Sequence, residues 1–158
     1  MFRTLTIAAA LLAAPFAAHA EVKSADAGGF TIQHEMVTAM TPAQAYRAFA
    51  RVSSWWGDGH TYSGSARNLS LSVRPGGCWC ETLPNGGFVE HLRVAYAAPG
   101  SEIRLLGGLG PLQALGVSGA LSVTFKPRPE GGAVIAARYA VAGRNNGADW
   151  APLAGAVD

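Results

Sequence analysis

Two carboxylates and a histidine crowd into one stretch, GGCWCETLPNGGFVEHLRVAYAAPG, running from Gly76 to Gly100. Glu81, Glu90 and His91 are the groups there that can accept or deliver a proton, and what they can do depends on how the stretch folds. Two alternating segments, residues 78–83 and 88–95, flank Pro84-Asn85-Gly86-Gly87. Asn-Gly between alternating segments signals a hairpin, because a type I′ turn needs positive φ at both central residues. With Asn85-Gly86 as the turn, Leu83 opposes Phe88, Glu81 opposes Glu90 and Cys80 opposes His91. Trp79, Glu81 and Leu83 then share a face with Phe88, Glu90, Leu92 and Val94. That face is mostly large and apolar, so it is predicted to point inward with two carboxylates embedded in it. Buried carboxylates are costly unless paired, hydrogen-bonded or solvated in a cavity. Desolvation and a like-charged neighbour both raise a carboxyl pKa, which makes Glu81 or Glu90 a candidate general base. In this register His91 points to the opposite face. A three-residue loop with a bulge would slip the register and set Glu81 against His91 instead.

The two cysteines, Cys78 and Cys80, lie on the same strand. Residues two apart on a strand have Cα atoms about 6.5–7 Å apart and nearly parallel Cβ vectors, which suits a disulfide poorly. They are expected to be two small buried apolar residues; a redox pair or half of a thiolate metal site is the sharper alternative. With no second cysteine pair, no metal site is assigned.

The elements that must position these groups follow in order. Residues 30–37, FTIQHEMV, alternate as a half-buried strand, with His34 on its apolar face as a core or pocket-lining residue. Thr41-Pro42-Ala43-Gln44 opens a helix: threonine caps, proline suits the first turn, and glutamine completes a capping box. Ala45, Tyr46, Phe49 and Val52 give it one apolar face. Trp55-Trp56-Gly57-Asp58-Gly59-His60-Thr61-Tyr62 is a glycine-punctuated aromatic loop, and such loops often roof ligand cavities. Strands are predicted over residues 68–74, 101–106, 117–126 and 133–142, besides the hairpin. Residues 107–113, GGLGPLQ, form a compact loop near a cavity mouth. Asp149 opens a last short helix carrying Trp150, Leu153 and Val157.

Residues 1–20 read as a secretory signal peptide: Arg3, an apolar run from Leu5 to Ala17, and Ala18-His19-Ala20 before Glu21. One domain, residues 21–158, would remain, in the periplasm or secreted. Of the chain's 12 basic residues cleavage removes Arg3, leaving 11 against 10 acidic ones. There is no basic stripe and no second apolar span, so nucleic acid, anionic membrane surfaces and a membrane anchor are set aside as partners.

The order strand, helix, six further strands, helix resembles the helix-grip fold of the START-like or SRPBCC superfamily. The residues carrying the resemblance are TPAQAYRAF, SSWWG, GGCWCE, EHLRV closed by Pro99-Gly100, and LGPLQ. Together they look like the branch known as activator-of-Hsp90-ATPase-like or polyketide-cyclase-like. The resemblance implies an α+β fold: a curved antiparallel sheet of about seven strands, an N-terminal helix, and a C-terminal helix gripped by the sheet over an apolar cavity. A gripped helix needs about 20 residues to cross the sheet, and only ten follow from Asp149. The helix is therefore expected to be short or truncated, and an uncovered concave face would favour a homodimer.

Three functions follow. The first is an exported binder of an apolar or amphipathic small molecule, lined by Trp55, Trp56, Trp79, Leu83, Phe88 and Leu92, with Glu81 and Glu90 as polar anchors and no cofactor. The second is a cyclase- or hydrolase-like enzyme using Glu81 or Glu90 as general base. The third is a co-chaperone of the Hsp90-activator kind, which the signal peptide argues against because ATP-driven chaperones work in the cytoplasm.

Overall fold

The computed structural model describes residues 19–143 and 149–157. Most of the expected signal peptide lies outside the described residues. Eight strands form one antiparallel sheet: β1 His19–Asp26, β2 Gly29–Thr38, β3 Leu69–Leu71, β4 Cys78–Thr82, β5 Phe88–Ala98, β6 Glu102–Gly107, β7 Ser118–Pro127 and β8 Ala133–Ala142. Their order across the sheet is β1-β2-β8-β7-β6-β5-β4-β3. The sheet is curved and compatible with a helix-grip arrangement. Among the described residues no helix is long and apolar enough to cross a membrane.

One strand exceeds the expected count of about seven. β1 has no strong alternation in HAEVKSAD, and it is held by pairing with β2 from His19↔Glu35 to Asp26↔Gly29. The expected cleavage point falls inside it; cleavage would leave Glu21 to Asp26 of the strand.

Helix α1, Pro42–Ala50, starts on a complete capping box: Thr41 Oγ1 accepts from the Gln44 amide, and Gln44 Oε1 accepts from the Thr41 amide at 2.8 Å. Two otherwise orphaned N–H groups are thereby satisfied. The helix lies against β7 and β8, burying Ala45 and stacking Tyr46 edge-on against Phe125. Helix α2, Trp150–Ala156, is capped by Asp149, whose Oδ1 accepts from the Ala151 amide at 3.0 Å. It packs on β1 and β2, placing the Trp150 ring 5.7 Å from Phe30.

Strand β5 carries two irregularities. Pairing shifts between Trp79↔Leu92 and Cys80↔Glu90, which leaves His91 as an extra residue, and again between Val94↔Leu105 and Tyr96↔Arg104. Bulges of this kind bend a strand and increase its twist. Here they curl the sheet around the side on which the aromatic core collects.

Candidate functional site

The hairpin turns where expected but with a different register. Asn85 and Gly86 both take positive φ, 60° and 78°, as a type I′ turn requires. The loop closes through Leu83 N–H to Gly87 C=O at 2.9 Å, so Thr82 pairs with Phe88 and Glu81 with Val89. The pairing is displaced by one residue from the expected one, and the bulge at His91 then restores the expected phase for Leu92 and Arg93. The consequence is chemical. Glu90 and Phe88 fall on the outer face, while His91 joins Glu81 on the inner one.

The expected site residues therefore divide. Glu81 is 1% exposed. Glu90 sits on the outer surface, where both its carboxylate oxygens accept from Arg93, at 2.7 and 2.8 Å. The two carboxylates do not share the inner face. Phe88 is 74% exposed, because Val89 and not Phe88 follows the inward phase. Leu83 is half-buried beside the turn, and Leu92 is buried in the core; neither lines the cavity. His34 is half-buried on β2, away from the cavity lining.

Cys78 and Cys80 are bonded to each other, contrary to expectation. Their Cα atoms are 5.4 Å apart, closer than a regular strand allows, and the register shift opposite them lies between Trp79 and Cys80. The local departure from extended geometry brings the pair within disulfide range. Glu90 is close enough to make Cys78, Cys80 and Glu90 a potential three-ligand cluster, but bonded sulfurs are not thiolates and the carboxylate is engaged by Arg93.

A cavity of about 470 Å³ opens between the sheet and three surrounding segments. Its lining includes Trp55, Trp56, Trp79, Leu69, Leu109, Pro111 and Val157, together with His60, Thr61, Tyr62 and His91. The three indoles belong to one aromatic cluster. Trp56 meets Trp79 edge-on at 4.8 Å, Trp55 meets Trp79 at 5.8 Å, and Phe49 stacks on Trp55 at 5.3 Å. Trp79 is fully buried at the floor, whereas Trp55 and Tyr62 stay half-open at the rim. Each indole at the rim is oriented by its N–H: Trp55 donates to Phe49 C=O and Trp56 to His60 C=O.

Buried polar groups hold the walls. Glu81 Oε1 accepts from the Ser63 amide at 2.5 Å, and Oε2 accepts from the Tyr62 amide at 3.2 Å and lies 3.0 Å from His91 Nε2. Burial alone would raise this carboxyl, but the hydrogen bonds from Ser63, His91 and Tyr62 outweigh it and hold it below the usual carboxylate range. The expectation of a carboxyl titrating above its ordinary value is thus reversed for Glu81. Asp58 closes the base of the same loop by accepting from the Ala66 amide at 2.7 Å. The opposite wall hangs on Tyr139, whose hydroxyl donates to Gly107 C=O at 2.8 Å and accepts from the Leu109 amide at 2.9 Å. Burial pushes that phenol up to about 12. Gly119 makes room for it, since a Cβ there would stand 2.6 Å from the Tyr139 ring.

His91 is the cavity-lining residue that the alternation pattern misplaced. It is 5% exposed, it lines the cavity, and the Tyr62 ring lies over it at 5.9 Å. Its Nδ1 is buried without a hydrogen-bond partner. A signal for it exists in the sequence. Val89 is out of phase with Leu92 and Val94, and such a break marks a bulge between them.

No protein-family profile matches the chain, and no curated protein matches its sequence. Solved structures do resemble it. An uncharacterised protein from Rhizobium leguminosarum superposes with a TM-score of 0.56 at 17% identity, over 89% of this chain and 90% of that one. A conserved protein of unknown function from Enterococcus faecalis gives 0.53 at 8% identity, over 82% of this chain; the chain spans 64% of that protein's length. The di-domain aromatase/cyclase StfQ of the steffimycin biosynthetic pathway gives 0.44 at 19% identity, over 71% of this chain and 36% of that one. At such identities the likeness is one of fold.

Proposed function

We propose that this protein binds a small, mostly apolar molecule in the cavity between its sheet and the Trp55–Tyr62 loop. The observation that carries the reading is the lining itself: three tryptophan side chains and several aliphatic ones around about 470 Å³, with a buried imidazole among them. Cavities of about 300–1,000 Å³ with apolar walls and few polar groups are the usual form of small-molecule sites. The walls are pre-built, because Glu81, Asp58 and Tyr139 tie the lining loops to the sheet and its flanks. A ligand entering such a site loses little affinity to ordering the protein.

The reading includes export, on the support of Arg3, the apolar run and Ala18-His19-Ala20. The enzyme alternative changes residue. Glu81 is a poor free base because both its oxygens are already accepting, and Glu90 is outside. The co-chaperone alternative rests on the sequence resemblance alone.

The test is energy transfer to an environment-sensitive apolar dye, anilinonaphthalene sulfonate, with tryptophan excited. Trp55, Trp56 and Trp79 line the cavity, so a bound dye should quench protein emission and fluoresce itself, and native mass spectrometry should show a co-purifying apolar molecule or one added dye. Unquenched tryptophan emission with no bound species would overturn the reading.

A further inference from the structure

The Cys78–Cys80 disulfide joins residues two apart on one strand, so it ties no second element to the first. The stabilisation a disulfide gives by restricting the unfolded chain grows with the loop it closes, and this loop is as short as such loops come. A bond of this kind is a poor staple. Its position points to another use.

Cys78 and Cys80 are half-buried and alternate with the buried Trp79 and Glu81. The bond therefore lies on the outer face of β4, while Trp79 forms the cavity floor from the inner face. On the outer face Cys78 pairs with Arg93 and Cys80 with Glu90. A Glu90 carboxylate oxygen lies within 4.8 Å of both sulfurs, and Arg93 holds that carboxylate in place. Disulfides with access to solvent are the labile, regulatory ones. Reduction would create two S–H groups, and Glu90 is an acceptor beside them.

The same bond faces the bulge. The pairing of β4 with β5 shifts between Trp79 and Cys80, inside the span of the bond, and His91 is the extra residue opposite. The Cα atoms of Cys78 and Cys80 are 5.4 Å apart, so restoring regular strand geometry would lengthen this part of β4 by about 1 Å or more. Trp79 sits at the centre of that span, and Glu81, which follows it, contacts His91 and holds the Tyr62 and Ser63 amides.

We propose that Cys78–Cys80 is a thiol–disulfide exchange site, opened by a dithiol, and that opening it shifts the cavity wall. A thiolate of the dithiol attacks one sulfur and forms a mixed disulfide, and the other cysteine leaves as a thiolate and takes up a proton. The second thiolate of the dithiol then attacks the mixed disulfide, releases the remaining cysteine and closes the dithiol into its own disulfide. Two electrons and two protons pass to Cys78 and Cys80. The released strand extends across Trp79, and the change reaches Tyr62 and Ser63 through Glu81. The proposal does not rest on the binding reading and names no ligand for the cavity.

Dithiothreitol is the probe, with alkylation and intact mass to count thiols and amide NMR to follow the wall. Native protein should take up two labels after reduction without denaturant, as completely as the unfolded protein does. The Tyr62 and Ser63 amide resonances should shift on reduction, those of β7 and β8 should stay, and oxidised dithiothreitol should restore the starting spectrum. The double variant Cys78→Ala/Cys80→Ala should show the reduced positions whether or not dithiothreitol is present; if it does not fold, the wild-type titration decides alone. A disulfide that opens only in denaturant would overturn the proposal. Reduction that leaves the Tyr62 and Ser63 resonances in place would overturn it too, as would reduction that unfolds the protein, since the bond would then be a staple.

Discussion

Glu81 Oε2 and His91 Nε2 lie 3.0 Å apart, both side chains shielded from water, on adjacent strands whose pairing skips His91. The contact joins three parts of the protein. It fixes the ring that lines the cavity, it belongs to the carboxylate that holds the Tyr62-Ser63 roof, and it depends on the bulge that turns His91 inward.

Removing the carboxylate should therefore be costly. Glu81→Ala leaves the Ser63 and Tyr62 amides and His91 Nε2 without their acceptor, and breaking a buried pair by deleting one partner costs about 3–5 kcal/mol. Glu90→Gln removes only an outer-face pair with Arg93, worth about 0–1 kcal/mol. Urea denaturation of the two variants should show this contrast. Similar losses in both would mean that Glu81 is not the anchor.

Acid should act through the same residue. The Glu81 carboxyl is held below its ordinary value in the folded protein, so the unfolded chain takes up its proton at the higher pH. Its contribution to stability is full above the ordinary carboxylate range and is lost as pH falls through the lowered folded value. Thermal midpoints should decline across that acidic window, and the Glu81→Gln variant should decline less steeply there. An equal slope in the variant would assign acid sensitivity to other groups.

Gly119→Ala probes the opposite wall. Its new Cβ would press on the Tyr139 ring at 2.6 Å and dislodge the hydroxyl from Gly107 and Leu109. Overpacking of this kind costs about 1–3 kcal/mol. Tyr139→Phe should cost about 1–3 kcal/mol for the stranded Leu109 amide and Gly107 carbonyl. Because both changes disturb one contact, the double variant should lose less than the sum of the singles; strict additivity in a double-mutant cycle would break the link.

The cysteines should resist alkylation. Unfolded in denaturant without reductant, the protein should take up no label on Cys78 or Cys80, and after reduction it should take up two. Two labels before reduction would show that the bulged strand does not bring the sulfurs together.

Local chemistry was legible in the sequence. Thr41, Pro42 and Gln44 specify the start of α1 through hydrogen bonds closed within one turn, and Asp149 does the same for α2. Asn85-Gly86 specifies the sense of the hairpin turn through its backbone preference. Register was not legible, because it is settled by which large side chains the core accepts. Phe88 competes with Val89 for the inward phase, and the larger residue loses because the bulge at His91 must bring both His91 and Leu92 inside. That one displacement moved Glu90 out, brought His91 in and changed the identity of the candidate base. β1 was missed for a related reason: its residues lack alternation, and its pairing with β2 is a tertiary fact. Trp55 and Trp56 pack against Trp79, as two adjacent indoles among glycines have few places to go except over a core.

The measurement that bears most directly on the site is long-range nitrogen NMR of the His91 ring in ligand-free wild-type protein, in mildly alkaline buffer. The two ring nitrogens report separately which of them carries hydrogen. The expected result is a protonated Nε2, a bare pyridine-type Nδ1, and loss of that single tautomer in Glu81→Gln. A hydrogen found on Nδ1 with Nε2 bare would contradict the Glu81 contact.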